Sequence, residues 1–195
     1  MKKVIGLIVV GVASVAILSG CGLLNDIAGK ANAVVFYGDE ENVQEIIDSE
    51  KKEAEKYGQY DMKFLEQDEK KIMIMDQQTA QALLKDGLWR TVNEKNSTDK
   101  MKTIPDMKKD QAILFAKEAN KEINIEESEL EVSYGGNMII GEGRTYVDLF
   151  LIMPDELYGA IASKEQSIGY LRYATDPSGK IQGIDVEYIQ LLRMK

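Results

Sequence analysis

A single cysteine, Cys21, and no histidine occur in this chain of 195 residues. One thiol cannot close an intramolecular disulfide, so whatever folds beyond Cys21 has to be held by an ordinary apolar core. Without imidazole, zinc sites of the His/Cys type, Ser-His-Asp triads and histidine acid–base chemistry are excluded. No motif requires a cofactor or a metal ion.

The position of that cysteine matters as much as its number. Lys2 and Lys3 precede an uncharged apolar run from Val4 to Leu18. That is the layout of an export signal, and the run is shorter than the roughly 20 residues a bilayer-spanning helix needs. It ends in Leu18-Ser19-Gly20-Cys21, which resembles the lipobox of bacterial lipoproteins. The resemblance implies cleavage between Gly20 and Cys21, a diacylglyceryl thioether on the Cys21 sulfur, and a second acylation at the new amino group. Thiolate nucleophilicity explains why cysteine is needed there. Two acyl chains make a durable anchor where one is marginal. The expected organisation is a signal peptide over 1–20, a lipidated N-terminus and short tether over 21–38, and one domain over 39–195 with a sub-boundary near 92–104.

Charge then limits the partners. Without Lys2 and Lys3, 22 basic side chains stand against 33 acidic ones, a formal charge of −11. Such a surface repels phosphate backbones and anionic headgroups, so no nucleic acid is expected and attachment to the membrane should depend on Cys21. Lysine far outnumbers arginine, a bias associated with low-GC Gram-positive bacteria. The expected location is therefore the extracytoplasmic face of such a cell membrane.

The pattern of apolar residues predicts an α+β domain. Val34 to Tyr37 reads as a first strand. Val43, Ile46, Ile47, Ala54 and Tyr57 recur at helical spacing, predicting a helix over 39–57. Phe64-Leu65 and Ile72 to Met75 form a hairpin about a turn at 66–71, and Thr79 to Leu84 a helix closed by Gly87. Residues 89–102 read as a long loop. Thr103 and Pro105 suit a helix start, with Ala112, Phe115, Ala116, Ala119 and Ile123 as its apolar face. The period then changes to two. Strands are expected over 130–134, 138–140, 144–153, 168–173 and 181–192, with a short helix from Pro154 to Ala162, the second half being an antiparallel meander. Helices packed on a curved antiparallel sheet would resemble cystatin-like or NTF2-like folds at the level of analogy alone.

Candidate chemistry is sparse. Ser49-x-x-Lys52 and Ser97-x-x-Lys100 have serine–lysine acyltransferase spacing but no companion motif, and both read as solvated. Asp39-Glu40-Glu41 reads as helix-dipole stabilisation, with a weak divalent-cation site as the alternative; a calcium loop is absent. On the 144–153 strand, Thr145, Val147, Leu149, Leu151 and Met153 are expected to face the core. Tyr146, Asp148, Phe150 and Ile152 lie on the other side, where Tyr170, Arg172 and Tyr188 can join them. Tyr146, Phe150 and Arg172 form the candidate interaction face, since aromatic residues and arginine favour protein interfaces, unless the first-half helices cover that face as a second core. The expected function is non-enzymatic protein binding, as in toxin immunity or an envelope accessory role. Alternatives are a small-ligand receptor with a pocket between helix and sheet, and a carboxylate-dependent envelope hydrolase.

Overall fold

In the computed structural model, the residues described are 31–95, 97–108, 110–120, 122–125, 128–141, 146–181 and 183–194. Gly20, Cys21 and Thr145 lie outside them.

The first strand is β1 (Ala33–Gly38), and every residue in it is buried. It pairs with both β11 (Lys164–Arg172) and β12 (Tyr188–Leu192). The folded domain therefore starts before Asp39, inside the stretch expected to be tether. Both ends of the chain meet here: the Asn32 side chain donates to Met194 O at 2.8 Å and accepts from Met194 N at 2.7 Å.

Helix α1 (Glu40–Glu50) is shorter than the pattern predicts, because β2 (Lys56–Gln67) takes Tyr57 into nine antiparallel pairs with β11. β2 turns into β3 (Lys70–Asp76) through Asp68 and Glu69, both left-handed at φ 51 and 61, which suits the right-handed twist of a two-residue hairpin. Asp76 then caps α2 (Gln77–Asp86), accepting from Thr79 N at 2.6 Å. Gly87 closes that helix at φ 77, a conformation glycine adopts without Cβ strain.

The expected loop at 89–102 holds two short strands, β4 (Trp89–Val92) and β5 (Thr98–Lys100). They form a three-stranded sheet with β9 (Met138–Ile140) in the order β5-β4-β9. Trp89, Met101 and Ile104 enter the main core, so 92–104 is not a boundary.

The helix expected around Ala112–Ile123 is not formed. β6 (Ala112–Phe115) and β7 (Glu122–Ile125) occupy that stretch. All four β6 residues are buried, and a short apolar run that fills both faces of a central strand has no period with which to distinguish it from helix. β8 (Ser128–Gly136) follows as expected, but β9 leaves it for the small sheet rather than closing a hairpin. β10 (Leu149–Met153), α3 (Asp155–Ala160), β11 and β12 complete the chain.

The large sheet has nine strands in the order β12-β1-β11-β2-β3-β10-β6-β8-β7 and is open. It is mostly antiparallel, but β3/β10 and β6/β8 are parallel, so the second half is not a simple meander. Both sheet faces are covered. On one, Met62, Met73, Met75, Phe115, Phe150 and Tyr170 pack against Ala80 and Leu83 of α2 and against Trp89 and Ile140 of the small sheet. On the other, α1 sets Val43 and Ile47 on Phe36 and Leu171, while Leu157, Tyr158 and Ile161 at α3 lie on Ile72, Leu149 and Leu151. Gly169 permits that packing, since a Cβ there would come within 2.2 Å of the Phe36 ring. Lys63, 7 % exposed, donates to the carbonyls of Tyr158 and Ile161 at 2.8 and 2.6 Å, placing its charge at the negative end of α3.

Candidate functional site

Strand register brings aromatic residues to one end of the large sheet. Tyr37 pairs with Tyr188 across β1/β12, and Phe64 with Lys164 across β2/β11. Tyr146, in the stretch before β10, inserts among them. Its ring stacks on Tyr188 (5.2 Å, 5°) and Phe64 (5.5 Å, 17°) and meets Tyr37 at 5.0 Å. Tyr37 and Tyr146 are buried, whereas Phe64 and Tyr188 are half-buried and carry the stack to the surface.

Charges ring this aromatic centre. The Tyr146 hydroxyl lies 2.6 Å from Glu187 Oε2 and 3.1 Å from Oε1 of the buried Gln166. Lys164 Nζ is 2.6 Å from Glu187 and 3.1 Å from Asp39. Lys71 sits 5.4 Å from the Tyr146 ring centroid and pairs with Glu66 at 3.7 Å. Burial pushes the Glu187 carboxyl up, but the bonds from Lys164 and Tyr146 outweigh it and the net shift is downward. Glu187 raises the Lys164 ammonium against the opposing effect of burial, and Asp39 adds to the rise. Burial, then the Glu187 bond, raises the Tyr146 phenol. At neutral pH this is a fixed set of one carboxylate, one ammonium and one protonated phenol, suited to recognition by charge and hydrogen bonding rather than to proton exchange.

The three residues expected to form one interaction face have separate fates. Phe150 is 2 % exposed, edge-on to Trp89 at 5.1 Å, in the main core. Arg172 is on the same sheet face by register but at the opposite end, paired with Ala33 and Lys56, with Nε 3.7 Å from Glu55. Only Tyr146 belongs to the aromatic rim. The shared face was read correctly, but α2 and the small sheet cover it, so it is a second core rather than a free surface. Leu149, Leu151 and Met153 are buried on the other side as expected. Glu187, Lys164, Gln166, Tyr37 and Phe64 were not singled out in the sequence, because pairing residue 37 with residue 188 is long-range and leaves no local signal.

The remaining motifs have structural roles. The Ser49 hydroxyl donates to Ile46 O at 2.8 Å, and Ser97 is bonded to Asn93 at 2.5 Å. Glu40 and Glu41 occupy the first turn of α1, as the helix-dipole reading expects. The space between α2 and the sheet, where a ligand pocket was considered, is filled by the buried side chains of Met62, Met73, Met75, Trp89, Phe115 and Phe150. Grooves lie outside it. One of about 470 Å³ runs between α2 and β5, lined by Gln81, Leu84, Lys85, Lys100, Met101 and Lys102.

Among the described residues, no helix is long and apolar enough to cross a membrane. The fold has a counterpart in the crystal structure of a protein from Bacillus anthracis described as a lipoprotein. The two are 29 % identical, with a TM-score of 0.76, over 85 % of this chain and 100 % of the other. A comparison with curated proteins finds no match. The model of an uncharacterised lipoprotein family matches residues 31–195, the whole of the folded domain described above, and the chain belongs to that family.

Proposed function

We propose that this lipoprotein is held by acyl chains on Cys21 at the extracytoplasmic face of a Gram-positive cell membrane and works there as a non-enzymatic protein-binding module. In this reading it grips another envelope or secreted protein, in an immunity or accessory role. Membership of a lipoprotein family supports membrane attachment. The observation that carries the binding reading is the rim at Tyr146: an aromatic centre reaching the surface through Phe64 and Tyr188, ringed by Glu187, Lys164, Asp39, Lys71 and Glu66. Aromatic anchors within a charged, half-exposed border are the composition that protein interfaces favour.

The rim also has the right place. The chain enters the fold at Ala31–Asn32 beside Met194, and β1 runs from there to Gly38. Tyr37 is thus about 13 Å further along β1 than Ala33, at ~3.3 Å per residue. A partner approaching from outside meets the rim at the end away from the anchor.

The test is in-cell crosslinking of the full-length protein, affinity recovery and mass spectrometry, with Cys21→Ala as the unanchored control and a Tyr188→Ala/Glu187→Lys double variant. Both substituted side chains are partly exposed, so the fold should survive. One dominant partner that depends on Cys21 and is lost in the double variant is the expected result. Recovery of abundant bystanders alone, or equal recovery with the double variant, would refute the proposal.

A further inference from the structure

The groove between α2 and β5 is cationic on a strongly acidic protein. Lys85, Lys100 and Lys102 line it together with Leu84 and Met101. All three lysines are exposed. Among the described residues, no carboxylate lies within ion-pair distance of any of them. The nearest acid by position, Asp86, is taken up by Lys56 at 2.5 Å and by two tyrosine hydroxyls. Asp99 precedes Lys100 in β5 and so points to the opposite sheet face. The negative end of α2 accounts for Lys85 and Lys100 being basic, but not for Lys102, nor for apolar Leu84 and Met101 lying among them.

The groove is at the anchored end. Lys100 Nζ and Met194 Cε lie 3.3 and 4.0 Å from the point a Cβ on Gly87 would occupy. Met194 is tied in both directions to Asn32, at the start of the fold. Nine residues, 22–30, separate Cys21 from Ala31. Fully extended, they reach about 35 Å at most. The start of the fold is thus confined near the bilayer, and the same end presents uncompensated ammonium groups over an apolar floor.

We infer that the Lys85–Lys100–Lys102 groove is a membrane-facing surface that takes the anionic headgroups of phospholipids and sets the orientation of the domain on the bilayer. The acyl chains retain the protein; the groove turns its lysine end down and the Tyr146 rim outward. Net repulsion from an acidic body makes this orientation one-sided, since any other end turned to an anionic surface is disfavoured. The inference rests on anchoring through Cys21.

Two measurements on the full-length lipidated protein test it. The first is flotation with vesicles of phosphatidylcholine, or of phosphatidylcholine containing phosphatidylglycerol. Failure to float with either refutes Cys21 anchoring and the inference with it. The second is labelling of lysines by a water-soluble amine reagent on the same vesicles, read by peptide mass spectrometry. An anionic surface attracts each nearby lysine by about 1 kcal/mol, a factor of about five. Lys85, Lys100 and Lys102 should therefore label about fivefold more slowly when phosphatidylglycerol is present, with Lys164 unchanged and the effect lost in about 1 M salt, where screening acts within ~3 Å. Flotation with equal labelling on both vesicles, or equal slowing at Lys164, would overturn the groove while leaving the anchor intact.

Discussion

Asp86→Asn tests the junction that fixes the end of α2 against the sheet. Asp86 is the last residue of that helix, with its side chain 10 % exposed. Oδ1 accepts from Lys56 at 2.5 Å, and Oδ2 from Tyr170 at 2.7 Å and from Tyr60. Burial alone would raise this carboxyl, but the bonds from Lys56, Tyr60 and Tyr170 outweigh it and the net shift is downward. Hydrogen bonds to a charged group contribute about 1.5–3 kcal/mol each. Asparagine keeps one acceptor oxygen, so one tyrosine stays bonded, while the second bond and the attraction of half-exposed Lys56 are weakened. In compensation, removing a negative charge from a helix C-terminus gains about 0.3–1 kcal/mol. The net loss expected at pH 7 is about 2 kcal/mol. With a urea slope of about 2 kcal/mol/M, the midpoint falls by about 1 M. Trp89 is the chain's one tryptophan and is fully buried, so its emission reports the transition. Because the folded pKa is depressed, the stabilisation is complete above the unfolded carboxyl value of about 3.9 and is lost as pH falls through the folded value. The difference between wild type and variant should therefore shrink below about pH 4. A midpoint shift under about 0.3 M at pH 7, or one that persists unchanged at pH 2.5, would refute this account.

Two further substitutions follow from the packing. Trp89→Ala removes a side chain held edge-on between Phe115 and Phe150, both at 5.1 Å, with its Nε1 donating to Ala80 O at 3.1 Å. A loss of about 3–5 kcal/mol is expected from calorimetric or circular-dichroism melts, whereas a residue in a solvated loop would cost under ~0.5 kcal/mol. Tyr146→Phe keeps the aromatic stack but takes the hydroxyl from Glu187 and Gln166. The Glu187 carboxyl should titrate higher than in wild type by NMR, and an unchanged titration would show that the bond does not form in solution.

How far the sequence could be read depended on how local each determinant was. Gly87 as a helix stop, the Phe64/Met73 hairpin, the strand through Leu130–Tyr134 and the first strand at Val34–Tyr37 rest on neighbours within a few residues, and each is in place. The apolar run Ala112–Phe115 misled, because a strand buried on both faces carries no alternation. Tyr146, Phe150 and Arg172 were correctly given a common sheet face, but whether that face met water depended on Trp89 and α2 lying across it. Tyr146 became part of a surface site only through Tyr188 and Glu187, more than 40 positions away.

The sequence by itself determined the lipobox pattern at Cys21, the absence of disulfide and imidazole chemistry, the acidic charge and the α+β class, because composition and local period need no partner to be defined. Tertiary structure decided the strand order, with β1 between β11 and β12, the covering of both sheet faces, the aromatic rim at one end and the lysine groove at the other. Those depend on contacts between residues as far apart as Asn32 and Met194. Such contacts are selected by how whole elements bury their apolar faces together, and no window of the chain contains that information.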